Sequence, residues 1–191
     1  VTLGELLENL KTKPKKWVVG GGSAVGGWDH LKVLMAAKEY GISNVRKIKY
    51  VSFDGGGDAV TQLLAGNVQI FTGDVSEIKG FVDAGDIKII AVLSPKRLPG
   101  DFSKFYTAKE QGVNVVGANW RGFYVPKGMS DDAYNFWAGA IKKMYDTPQW
   151  KKTMAKNGLA PLDLSGKAFE AFVANSVASI QTISKQIGII K

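Results

Sequence analysis

Three glycine-rich turns, each lying between a short apolar run and a helical pattern, constrain the fold of this chain most strongly. They cover residues 20–27, 53–58 and 72–77. The start of a helix carries unpaired N–H groups and the positive end of the helix dipole, and glycine lets a ligand approach the main chain closely. Three such turns at one end of a sheet predict an anion receptor built mostly from backbone groups.

Apolar runs and helical patterns alternate along the first half of the chain. The predicted strands are 17–20, 48–52, 68–72 and 88–93. The predicted helices between them are 27–40, 57–65 and 75–84. A glycine follows each of these helices, as expected for a helix that stops there. The alternation predicts an α/β fold with a mainly parallel sheet covered by helices.

Helices are also expected on both sides of this unit. A short amphipathic helix is predicted at 2–13, with Thr2 and Glu5 forming a capping box. After an extended run at 120–125, the tail is predicted to contain helices at 130–146, at 148–158 and after Ser165. The apolar faces of the tail helices include Phe136, Trp137, Phe172, Val173 and Ile180. These faces need other residues to pack against.

Composition narrows the classes of function. The 191 residues carry a net charge of +8, with no cysteine and one histidine. No apolar run approaches the roughly 20 residues that span a bilayer. Without cysteine, and with a single histidine, neither a metal site, a cofactor nor enzymatic catalysis is expected. The lysines are dispersed and do not interleave with aromatic residues, so nucleic-acid binding is not expected.

Two side chains, Ser23 and Arg121, each allow a binding role and a structural role. Ser23 fits a site where its hydroxyl and nearby N–H groups hold a carboxylate, and it equally fits a turn that caps a helix. The sequence places His30 early in a helix, in a structural or capping role. Asp58 and Glu77 fall in first turns of helices, where the dipole favours negative charge. Arg121 suits two-pronged binding of a carboxylate, or an ion pair that ties two layers together.

The ordered set of motifs resembles the substrate-binding receptors of tripartite tricarboxylate transporters. The resemblance rests on Gly-Gly-Gly-Ser-Ala at 20–24, on Phe-x-Gly-Gly-Gly-Asp at 53–58 and on Val-Ser-Glu at 75–77. It continues to Asn-Trp-Arg-Gly at 119–122, and it runs through the whole chain in order. At residues 106–107, Tyr-Thr stands where the family has Pro-Thr.

The resemblance implies a periplasmic-binding-protein-like fold of type II. Residues 1–118 are expected to form the second lobe of a two-lobed protein. Residues 119–191 are expected to form a crossover strand and bracing helices of a first lobe that is otherwise missing. The hinge is expected near 13–16 and 118–120. Without the long N-terminal section of the family, the tail helices are expected to expose apolar faces, which favours a homodimer.

The resemblance also implies a function and a site. A di- or tricarboxylate such as citrate is expected in a periplasmic cleft, with delivery to membrane permease subunits. A signal peptide is expected outside the 191 residues. Asp74 is expected to accept a ligand hydroxyl or to hold a bridging water. The expected ligand-binding residues are Gly22, Ser23, Ala24, Phe53, Gly56, Gly57, Asp74, Val75, Ser76 and Arg121. The alternative is the effector-sensing domain of a transcription regulator, which shares the fold class.

Overall fold

The computed structural model describes residues 1–190, and over that range it contains three strands and seven α-helices. The strands are β1 (Val18–Gly21), β2 (Lys49–Ser52) and β3 (Ile70–Thr72). The helices are α1 (Leu3–Thr12), α2 (Trp28–Glu39), α3 (Gly56–Leu64), α4 (Val75–Ala84), α5 (Asp131–Asp146), α6 (Pro148–Lys156) and α7 (Gly166–Gln186). The predicted α/β class is confirmed.

The sheet has the order β2-β1-β3, and both pairs of neighbouring strands are parallel. Gly21, the last residue of β1, is in register with Ser52 of β2 and with Thr72 of β3. The carboxyl ends of all three strands therefore lie at one edge of the sheet. Because α2, α3 and α4 follow these strands, all three glycine-rich turns lie at that edge, as predicted. We call it the binding edge.

Two predicted strands are absent from the described residues. Residues 88–93 do not join the sheet, and only Val92 forms an isolated bridge, to Thr107. The reason is that other groups take the backbone hydrogen bonds of this run. Gln111 Nε2 donates to the Ile90 carbonyl oxygen at 2.9 Å, and Gly117 N–H donates to the Leu93 carbonyl oxygen at 2.8 Å. The expected crossover strand at 120–125 likewise has no strand geometry.

Local signals set the ends of the helices. In α1, Glu5 N–H donates to Thr2 Oγ1 at 3.2 Å, while Thr2 N–H donates to Glu5 Oε2 at 2.8 Å. The predicted capping box is therefore confirmed. Gly41, Gly66 and Gly85 all have positive φ after a helix, which is the conformation that favours glycine. In α7, by contrast, the Ser165 side chain makes no capping hydrogen bond.

The core brings the two ends of the chain together against one face of the sheet. It is formed by leucines of α1, by Val19 of β1 and by Leu31 and Leu34 of α2. Ile187, just after α7, is buried in the same cluster, as is Val113. Because α2 is part of this core, its N-terminus at the binding edge is firmly held.

The tail helices expose much of their apolar surface. No residue of α5 is buried, and the side chains of Phe136 and Trp137 are 66% and 53% exposed. In α7, Ile180 is exposed, whereas Phe172 is half-buried and packs edge-on against Trp120 at 5.6 Å between ring centroids. Across residues 1–190, no helix is both long and apolar enough to cross a membrane.

Candidate functional site

The first and second glycine-rich turns touch each other at the binding edge. A Cβ atom added to Gly22 would lie 2.6 Å from the Gly56 nitrogen and 2.7 Å from the Gly55 carbonyl carbon. Both distances are too short for any side chain, so only glycine lets these two turns meet. The first turn is thereby placed against the N-terminus of α3, which adds backbone N–H groups to those at the start of that helix.

Ser23 binds the first turn of α2 through its side chain, although the N-cap residue of this helix is Gly27. Its Oγ accepts a hydrogen bond from Asp29 N–H at 3.0 Å, and its carbonyl oxygen accepts one from the Tyr50 hydroxyl at 2.8 Å. Of the two interpretations left open for Ser23, helix capping is therefore realised. The Tyr50 hydroxyl oxygen lies 3.5 Å from Ser23 Oγ and is a second hydrogen-bond partner for the serine hydroxyl.

The remaining predicted residues of the first two turns differ in exposure. Ala24 and Gly57 are exposed, Phe53 is half-buried and Gly56 is buried. The Phe53 ring lies beside Gly20, where an added Cβ would be 3.1 Å from Cε2. Phe53 thus packs against Gly20, near the carboxyl end of β1.

His30 supports the first turn from within α2. Its Nδ1 accepts a hydrogen bond from Gly26 N–H at 3.0 Å, and its ring stacks on Tyr50 with 4.5 Å between centroids. Burial lowers the pKa of the imidazole below its ordinary value of 6.5. A neutral ring held in this way has the structural role that the sequence predicts.

The third turn is tied to the segment that follows the α/β unit. Asn119 Nδ2 donates to Asp74 Oδ2 at 3.0 Å, and Arg121 Nη2 donates to the same oxygen at 2.6 Å. Asp74 N–H in turn donates to Glu77 Oε2 at 3.0 Å, at the start of α4. For Arg121, the structure therefore shows the ion pair between layers, one of the two interpretations left open.

Glu77 reaches from the third turn to the second. Its carboxyl group lies directly against the α-carbon of Gly56, in the place that any side chain there would fill. Gly73 has the same carboxyl group beside it, 2.9 Å from where its Cβ would be. A carboxylate therefore already rests near the start of α3, where the dipole favours negative charge.

Sequence reasoning missed Lys32, which is buried beside this turn. Its Nζ lies 2.8 Å from Asp29 Oδ1 and 3.9 Å from Asp74 Oδ1. The lysine sits between Leu31 and Val33 in an apolar part of α2, a position that suggests a buried side chain. Lys32 follows Asp29 by three residues, and this spacing on a helix could have indicated an ion pair between them.

A large cleft opens on one side of the binding edge. It has a volume of about 1730 Å³ and lies between the third turn and the tail helices. Asp74, Val75, Ser76 and Arg121 line it together with aromatic residues such as Trp120. The other six predicted residues do not line this cleft. The structure thus divides the predicted site into a cleft-lining group and a group in the first two turns.

The described residues do not form a metal site. Among the 190 described residues, no three histidine, cysteine, aspartate or glutamate side chains are grouped so that they could hold a metal ion. The charged groups near the cleft are instead paired with one another, as in Lys32 with Asp29 and Arg121 with Asp74.

Comparison with known proteins identifies the family. The model of the tripartite tricarboxylate transporter family receptor matches residues 1–189, so the chain belongs to this family. Members of the family are substrate-binding receptors and not enzymes. This membership favours the receptor over the alternative of an effector-sensing regulator domain.

Individual relatives are more distant. The chain is 23% identical to the UPF0065 protein in the gbd 5' region of Cupriavidus necator, over all of this chain and 56% of that protein. It is 25% identical to a TctC solute-binding protein from Polaromonas, with a TM-score of 0.73 over 97% of this chain and 62% of that one. R. palustris Rpa4515, solved with adipate, has a TM-score of 0.87 at 21% identity, over 98% and 61% of the two chains. The chain therefore spans a little more than half the length of these proteins.

Proposed function

We propose that this chain acts in a periplasmic solute-binding receptor that captures a di- or tricarboxylate. It then delivers the ligand to the membrane permease subunits of a tripartite tricarboxylate transporter. Family membership supports the receptor role. The observation that carries the proposal is the convergence of three helix N-termini on one sheet edge, with Gly22 in direct contact with Gly56. Such an edge attracts anions through backbone N–H groups and helix dipoles.

In this proposal each turn contributes donors to the ligand. The first turn offers Gly22, Ser23 and Ala24, the second Gly56 and Gly57, and the third Val75 and Ser76. Phe53 forms part of the wall, and Asp74 accepts a ligand hydroxyl or holds a bridging water. Because the Glu77 carboxyl group already lies beside Gly56, the ligand in this proposal uses the N–H groups of the second turn that Glu77 leaves free.

Arg121 supplies a cation at the cleft. Its side chain is 58% exposed, whereas that of its partner Asp74 is 17% exposed. Only Nη2 of Arg121 is bonded to Asp74, so a ligand carboxylate can bind the remaining N–H groups of the guanidinium while that bond is kept. A guanidinium group binds a carboxylate through two parallel hydrogen bonds, which adds geometric selectivity.

The two-lobe division is also a proposal. Residues 1–118 act as the second lobe, and residues 119–191 act as the crossover and bracing helices of the first. The lining of the 1730 Å³ cleft supports this division, because it comes from both parts. Hinge closure around the ligand would pivot near 13–16 and 118–120.

Calorimetric titration tests the function. Malate, adipate and citrate are titrated into the chain, with the fully methylated ester of each acid as an uncharged control. We expect at least one acid to bind and its ester not to bind. Arg121→Gln should weaken that binding by about tenfold or more, because a charged hydrogen bond is lost.

Arg97→Gln is the matched control for this titration. Arg97 also pairs with a carboxylate, Glu110, at 2.8 Å, but it does not line the cleft. Its replacement should leave the affinity unchanged. Equal binding of acid and ester, or binding of none of the three acids, would contradict the proposed function.

A further inference from the structure

Lys32 is a buried cation, whereas the other lysines within residues 1–190 are exposed, apart from the half-buried Lys79. Its side chain is only 4% exposed. Its Nζ donates to the Gly73 carbonyl oxygen at 3.4 Å and pairs with Asp29 at 2.8 Å. Asp74 lies slightly further away, at 3.9 Å. A buried ammonium group is costly unless its donors have partners; here two acceptors lie within hydrogen-bond distance, and the Asp74 carboxylate is an ion-pair partner just beyond that distance.

The aliphatic stem of Lys32 supports a second part of the chain. A Cβ atom added to Gly117 would lie 2.9 Å from Lys32 Cγ, so the backbone at 117 rests on the lysine stem. Two residues later, Asn119 begins the contacts with Asp74. Lys32 therefore touches both the third turn and the start of the segment 117–121.

Four charged side chains form an alternating series across these elements. Asp29 and Lys32 come from α2, Asp74 precedes α4, and Arg121 belongs to the segment 117–121. Two cations and two anions leave the series with no net charge. Lys32 and Asp74 are the two inner members of this series. Removing the charge of either one would leave the opposite charge of its neighbours uncompensated, which is strongly unfavourable where those groups are buried.

We infer that Lys32 is a positioning residue for Asp74. It holds the third turn and the Asp74 carboxylate where that carboxylate binds Asn119 and Arg121. In this way a residue of α2 sets the position of the segment 117–121 at the binding edge. It also presents Arg121 to the cleft, and this last step alone rests on the proposed function.

Nuclear magnetic resonance relaxation of the backbone tests the inference without a ligand. In the wild type, we expect the order parameters of residues 118–121 to be near the rigid value of about 0.85. In Lys32→Met, which keeps an aliphatic stem but removes the charge, they should fall toward about 0.6. The Asn119 side-chain amide resonance should shift as its bond to Asp74 loosens. Lys38→Met removes the same charge from the exposed side of α2 and should change neither signal.

A double-mutant comparison separates positioning from general structural support. Asp74→Asn should loosen residues 118–121 as much as Lys32→Met does. The double variant should be no looser than either single variant, because both act through one carboxylate. Additive loosening, or order parameters in Lys32→Met equal to those of the wild type, would overturn the inference. If Lys32→Met does not fold, Asp74→Asn decides alone, and an unchanged segment overturns the inference.

Titration with malate and adipate gives the second readout. The affinity of Lys32→Met for whichever acid binds the wild type should fall by about tenfold, since Arg121 is no longer held in place. If neither acid binds the wild type, citrate is titrated as well, and the proposed function fails if none of the three acids binds. The relaxation data would still decide the role of Lys32, so the two failures are distinguishable.

Discussion

Arg121 Nη2 and Asp74 Oδ2 lie 2.6 Å apart, although the two residues are separated by 47 positions in the sequence. The pair joins the segment after the α/β unit to the start of α4. Because the arginine is well exposed, the pair adds only about 0–1 kcal/mol to the free energy of unfolding. Its main effect is geometric, since it places a guanidinium group at the edge of the cleft.

Replacing Ser23 by aspartate should abolish carboxylate binding. Ser23 Oγ accepts from Asp29 N–H, and an aspartate carboxylate can accept the same bond, so the helix cap is kept. The added negative charge, however, faces the N–H groups that the ligand would use. Calorimetry with malate or adipate measures the loss. Ser23→Asn, which caps equally well without charge, is the control and should retain binding. Unchanged binding by Ser23→Asp would remove Ser23 from the site.

Alanine substitutions at Gly56 and Gly57 should have different effects on the free energy of unfolding. A methyl group at Gly56 would overlap the Glu77 carboxyl group, whereas nothing lies within 4 Å of a Cβ at Gly57. Gly56→Ala should therefore lower the free energy of unfolding by about 1–3 kcal/mol. Gly57→Ala should leave it unchanged or raise it by up to about 1 kcal/mol, because alanine favours helix. Urea unfolding measures both changes.

The double variant Gly56→Ala with Glu77→Ala serves as the control for this pair. Removing the Glu77 carboxyl group takes away the overlap but also the hydrogen bond from Asp74 N–H, so the cost of Gly56→Ala is measured again in the Glu77→Ala background, where it should be smaller than in the wild type. An equal cost in both backgrounds would mean that another neighbour of Gly56 causes the loss.

His30 should make the fold less stable as the pH falls below about 6.5. Burial lowers its pKa in the folded state, so between the folded pKa and the ordinary value of 6.5 the unfolded chain binds more protons. The stabilising contribution is therefore complete above pH 6.5 and is lost as the pH falls toward the folded pKa. Thermal unfolding between about pH 7.5 and 5.5 measures this slope, in the range where histidine titrates.

His30→Phe tests the assignment of that slope. Phenylalanine keeps a ring against Tyr50 but cannot titrate, and it loses the bond from Gly26 N–H. The variant should be less stable at pH 7.5 by about 1 kcal/mol, and its stability should depend less on pH. An equal slope in both proteins would show that another group causes the pH dependence.

The 191-residue chain should self-associate through its tail helices. Phe136 and Trp137 of α5 are mostly exposed, and contiguous apolar surface of this kind favours association in water. Light scattering should show a mass above that of the monomer, and Phe136→Glu with Trp137→Glu should lower it. Asn135→Glu, on the same helix, adds charge without removing apolar surface and should have less effect. A monomeric wild type that binds no hydrophobic dye would contradict the prediction.

Local chemistry explains which features could be predicted from the sequence. The capping box at Thr2 and Glu5 involves residues three positions apart, and the glycine after α4 adopts its positive φ regardless of distant contacts. The alternation of strands with helices also follows from short-range periodicity. For these reasons the helix ends, the parallel sheet and the shared edge of the three glycine-rich turns were predictable.

The run 88–93 shows where local patterns become insufficient. Its apolar residues predict a strand, yet a strand exists only where a neighbour supplies backbone partners. Here the Gln111 side chain binds the Ile90 carbonyl oxygen, and Gly117 binds that of Leu93. Nothing within 88–93 indicates that these distant groups take the hydrogen bonds that a neighbouring strand would need.

The sequence by itself determined the α/β class, the helix caps and the glycine-rich turns, because each depends on residues within a few positions of one another. Tertiary structure alone decided which charged groups from distant parts of the chain pair with one another. Asp74 meets Lys32 from α2 and Arg121 from the segment 117–121, and the choice of partner depends on which elements pack together. Electrostatic pairing acts through space over a few ångströms, so the pattern of charges along the chain does not specify it.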